Sequence, residues 1–62
     1  MKIEDDIAYT LVEASKFLNM TLHDLRECIK EHRISVKNTE LSQRIVGKEI
    51  NRFLEELNKI IK

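Results

Sequence analysis

The chain has 62 residues, eleven Lys and Arg against eleven Asp and Glu, one Cys and no Pro. That length holds one small core and excludes a second domain, and a single thiol excludes an internal disulfide staple. Zero net charge excludes the strongly basic class of nucleic-acid binders, and no apolar run approaches the roughly 18 residues that a membrane span needs.

The first eight residues, "MKIEDDIA", form an acidic segment without the apolar core of a signal peptide, so a cytoplasmic protein with no membrane contact is expected. The domain proper is expected over residues 9–62. Thr10 and Glu13 make a T-x-x-E capping box, which predicts a helix running through Leu18 and stopping at Asn19. Its inward face is Leu11, Ala14, Phe17 and Leu18.

Thr21 and Asp24 repeat the capping signal. Leu22, Leu25, Cys28 and Ile29 then fall on one stripe at helical spacing, predicting a second helix that ends near Glu31 or His32. The opposite face centres on Glu27, with His23 and Lys30 beside it and Arg26 at the margin. A charged helix face is ordinarily just a solvated one, here with Glu27 and Lys30 at i,i+3. Asp24, Cys28 and His32 stand at i,i+4 steps, but Cys28 occupies a core position and a fourth ligand is wanting, so no metal or other cofactor is expected.

"RISVK" alternates apolar and polar residues and predicts a strand over 33–37; "NTELS" is a polar turn and "QRIV" the returning strand. Gly47 breaks that strand. From Lys48 onward Ile50, Phe53, Leu54, Leu57, Ile60 and Ile61 define a third helical face, with Arg52 and Glu56 at i,i+4 on the other side. Fifteen helical residues reach roughly 22 Å, so Leu57, Ile60 and Ile61 either fold over Ile3 and Ile7 or seek a partner. No Ser or Cys has an evident base and no Gly-rich phosphate loop exists, so catalysis is not expected.

The order helix, helix, hairpin, helix resembles the excisionase-like and MerR-like winged helix-turn-helix domains. The stretches that carry the resemblance are "TLVEASKFLNMT", "LHDLRECIKEH", "ISVKNTELSQRIV" and "KEINRFLEEL", which cover about residues 9–57. It implies a mostly α domain with a short β-hairpin that binds double-stranded DNA without catalysis, as a regulator or a recombination directionality factor of a phage or mobile element. Carried over by position, Thr21, His23, Asp24, Arg26, Glu27 and Lys30 face the major groove, and Lys37 and Arg44 anchor the wing.

The chain departs from that pattern at its acids and its turns. Asp24, Glu27 and Glu31 dilute the usual Arg-rich helix, "NTELS" lacks the wing Gly, His32 replaces a helix-ending Gly and Ser35 replaces a common Pro. Residues 21–48 still carry six bases against four acids. Four phosphate contacts, from Arg33, Lys37, Arg44 and Lys48, give a salt slope of about −3.6 by the rule of about 0.9 per phosphate. Binding that mild implies help from a homodimer or from a recombinase or other protein partner. The alternative function is a protein-interaction module on the same scaffold, working through Leu57, Ile60 and Ile61.

Overall fold

The computed structural model describes residues 2–40 and 42–61, and of Ile60 and Ile61 only the backbone. Three helices pack on a three-stranded antiparallel sheet in the order β1 (Ala8–Thr10), α1 (Leu11–Phe17), α2 (Leu22–Lys30), β2 (Lys37–Asn38), β3 (Gln43–Val46) and α3 (Gly47–Ile61).

The capping box forms as expected. The Thr10 hydroxyl accepts from the Glu13 N–H at 3.1 Å, and Glu13 Oε1 accepts from the Thr10 N–H at 3.0 Å. The Thr10 backbone amide, then its hydroxyl, hold the Glu13 carboxyl below its ordinary range, with smaller help from Arg44 and Lys16. A depressed folded-state pKa gives stability that is present above the ordinary carboxylate range and lost as pH falls through the folded value. Glu13→Gln is therefore expected to flatten the acid limb of a stability-against-pH curve, measured by thermal melts between neutral and strongly acidic pH.

Both early helices end the same way. Asn19 and His32 take positive φ (54° and 61°), and the next amides reach back five residues, Met20 N–H to the Ser15 carbonyl and Arg33 N–H to the Cys28 carbonyl. For His32 the left-handed conformation costs about 1 kcal/mol that glycine would not. His32→Gly should therefore raise the melting temperature by roughly 4–8 °C, the shift that 1 kcal/mol produces in a domain of this size.

The sheet differs from the expected two-stranded hairpin. Strand β3 lies in the middle, with Ala8, Tyr9 and Thr10 opposite Val46, Ile45 and Arg44 on one side, and Lys37 and Asn38 opposite Arg44 and Gln43 on the other. Segment 1–8, expected to precede the domain, therefore contributes a strand residue to it. The strand expected over 33–37 shrinks to its last residue. Arg33 still closes the end of α2 through its amide, and Ile34 drops into the core at 2 % exposure, so the ladder begins only at Lys37.

Helix α3 has no side-chain cap at its start. Its first amides donate instead to the N-terminal segment, Gly47 N–H to the Ile7 carbonyl at 2.8 Å and Lys48 N–H to the Asp5 carbonyl at 3.0 Å. A Cβ on Gly47 would overlap the Glu4 carbonyl, so only glycine lets the segment lie this close. Asn51 ties the same segment down through Asp5 Oδ1 at 2.8 Å and the Ile3 carbonyl at 3.2 Å. The core between helices and sheet is Leu25, Ile34, Ile45, Ile50 and Phe53, flanked by Tyr9, Ala14, Leu18 and Cys28.

Candidate nucleic-acid interface

Helix α2 supplies most of the expected site. Leu25 and Cys28 are buried, and the amphipathic period turns His23, Glu27 and Lys30 outward, all three exposed. Among the described residues none of these side chains, nor those of Asp24 and Arg26, enters an ion pair; the expected Glu27–Lys30 pair does not form. The ion pairs lie elsewhere, where Arg52 bridges Glu49 and Glu56 on α3.

The two margins of α2 face different surroundings. Thr21 and Asp24 line the hollow at the α1–α2 corner together with Ser15, Lys16 and Asn19. Thr21 is committed to capping, its hydroxyl accepting from the Asp24 N–H at 3.0 Å. Arg26 lies on the other margin, in the wall of a groove of about 370 Å3 formed with Thr10, with Leu11 and Val12 of α1, with Leu22, with Ser42 just before β3 and with Gln43 at its start.

The hairpin does not present its cations to that groove. Side chains alternate along β3, and Ile45 is in the core, so Gln43 shares its face while Arg44 takes the other. Lys37, directly opposite Arg44, shares that outer face and is exposed. Like charges so placed repel, and Arg44 turns away: it is half-buried, with Nη1 donating to the Ala8 carbonyl at 3.3 Å. The structure thus gathers His23, Arg26, Glu27 and Lys30 on one surface, with Asp24 and Thr21 toward the corner, and separates Lys37 and Arg44 from it. Sequence reasoning missed Ser42 and Gln43. The alternation about Ile45 was an available signal for Gln43 alone, since Ser42 has the parity of Arg44 and lies just before the strand.

The hairpin end itself is held by Thr39, whose N–H and hydroxyl both donate to the Ser42 carbonyl, at 2.8 and 2.6 Å. That fixes the backbone from which Ser42 and Gln43 project. On α3, Leu57 is half-buried against the core; the side chains of Ile60 and Ile61 lie outside the described residues. Ile3 packs on the same core, whereas Ile7 is 42 % exposed.

Cys28 is a free, buried thiol, and no group of three His, Cys, Asp or Glu side chains suited to a metal occurs among the described residues. Nor is any helix there long and apolar enough to cross a membrane. No protein-family model, no curated protein and no solved structure matches the chain.

Proposed function

We propose that the chain is a winged helix-turn-helix of the excisionase-like or MerR-like kind and binds duplex DNA without catalysis, as a small regulator or recombination directionality factor. Helix α2 enters the major groove, with His23, Glu27 and Lys30 toward the base edges. The β2–β3 hairpin lies along the neighbouring backbone, with Lys37 in reach of phosphate.

The observation that carries this reading is the outer face of α2. It holds exposed charges of both signs, none of them in an ion pair among the described residues, on a helix whose opposite face is locked into the core. A groove floor offers donors and acceptors in alternation, and such a face matches it: a carboxylate accepts from cytosine N4, and a cation donates to guanine O6 or N7. The mild basic balance of residues 21–48 fits an affinity carried by few phosphate contacts and therefore sensitive to salt.

The test is an amide NMR titration of labelled protein with mixed-sequence duplex DNA at low and then raised salt. Shifts confined to residues 21–32 and the hairpin, fading as salt rises, are the expected result. Unmoved amides there, with those of α3 near Leu57 moving on dilution of the protein alone, would sink the reading in favour of the protein-interaction alternative.

A further inference from the structure

The groove between α2 and β3 differs electrically from three other hollows of the described surface. The hollow at the α1–α2 corner sets Asp24 beside Lys16, and the two along α3 set Lys48 and Arg52 beside Glu49 in one and beside Asp5 and Glu55 in the other, so each has a carboxylate in its wall to compete with an anion. Among the described residues the α2–β3 groove is lined by one cation, Arg26, by the neutral polar Thr10, Ser42 and Gln43 and by the apolar Leu11, Val12 and Leu22, with no carboxylate. Two acids adjoin lining residues in sequence without lining the groove themselves: Glu27, exposed on the outer face of α2, and Glu13, whose carboxylate is bonded to the amide and hydroxyl of Thr10 at the groove edge. In a chain with no net charge, this is a local surface suited to a single anion.

Its donors are available. Among the described residues the side chains of Arg26, Ser42 and Gln43 make no hydrogen bond within the protein, and all three are exposed. Below them the floor is apolar, from the half-buried Leu11 and Leu22. A charged and polar rim over an apolar floor has the chemistry of one nucleotide of backbone, a phosphodiester anion carried on a deoxyribose.

Resting on the DNA-binding reading above, the geometry points to this groove as the seat of a backbone phosphate, held by Arg26, with Gln43 and Ser42 as neutral donors. Arg26 then positions the protein on the strand and reads no base. Sequence preference falls to His23, Glu27 and Lys30 at the centre of the face. Placement at the margin of α2 is what separates the two roles, because phosphate contacts fix register while base edges carry the sequence information.

The experiment compares wild type, Arg26→Gln and the double variant Ser42→Ala/Gln43→Ala on a set of duplexes of differing sequence, at several salt concentrations, with folding checked from amide spectra. All three residues are exposed, so the variants keep the core. Arg26→Gln should weaken every duplex by a similar factor, about tenfold or more, and reduce the magnitude of the salt slope by about 0.9. The double variant should weaken binding by about three- to tenfold, again without changing the ranking of duplexes. In wild type the Gln43 side-chain amide resonances should shift with DNA. If wild type binds but Arg26→Gln changes the ranking and leaves the slope intact, or if the double variant binds as wild type does, the groove assignment is overturned alone. If wild type binds no duplex at any salt, the DNA reading and this assignment fall together.

Discussion

Phe53→Ala is expected to leave the chain largely unfolded at 25 °C. Phe53 is 2 % exposed and sits among Leu25, Ile34, Ile45 and Ile50, with the Arg33 guanidinium 5.7 Å from its ring centroid. Truncating a buried Phe costs about 3–5 kcal/mol, and the lost cation–π contact adds roughly 0.5–1 kcal/mol. A core in a domain this small supplies only about 3–5 kcal/mol in all. The loss matches the total, so the far-ultraviolet dichroism of the variant should approach that of a denatured chain, while Phe53→Leu stays folded with a lowered melting point. A Phe53→Ala variant that melts cooperatively near the wild-type temperature would mean that α3 is not what closes the core.

Parts of this architecture were legible in the sequence because they rest on local rules. Thr10 with Glu13, and Thr21 with Asp24, mark helix starts through side chains that bond to amides three residues on, and the 3.6-residue stripes name the buried faces. Strand β1 was not legible. Three residues are too few to show alternation, and their partners in β3 lie 34 to 38 positions away. The capping of α3 was hidden for another reason: it is done by the carbonyls of Asp5 and Ile7, which leave no side-chain pattern.

"RISVK" shows the opposite failure, a pattern present but put to another use. Its alternation serves to drop Ile34 into the core at the exit of α2, and only Lys37 joins the sheet. The candidate site divides along the same line. The centre of the α2 face follows from a helical wheel, whereas the meeting of Arg26 with Ser42 and Gln43 depends on how a helix and a strand sixteen or more residues apart are packed. The resemblance implies a wing contact for Arg44; its place in β3 depends on the burial of Ile45 beside it, and its head group donates to the Ala8 carbonyl, a bond that no local pattern announces.

If the chain binds DNA as proposed, the double variant Arg26→Ala/Lys30→Ala is expected to abolish that binding even at low salt. Counting Lys and Arg against Asp and Glu, these two are the cations of α2, and Asp24 and Glu27 on the helix with Glu31 at its end are the acids. Removing both leaves a face whose formal charges are all negative, so the long-range term changes from near balance to repulsion as the helix approaches phosphate. The direct loss is also large, because contacts to charged groups are worth about 1.5–3 kcal/mol each, or roughly 3–6 kcal/mol for the pair if they act independently. That is a factor of at least about a hundred, enough to take a weak, salt-dependent complex below detection. Both side chains are exposed, so the fold should survive, and an unchanged amide spectrum of the free protein checks that it does. Fluorescence anisotropy of a labelled duplex gives the readout. Undiminished binding by a folded double variant would show that α2 does not meet the DNA, and would move the search to the outer face of the hairpin, where Lys37 stands exposed.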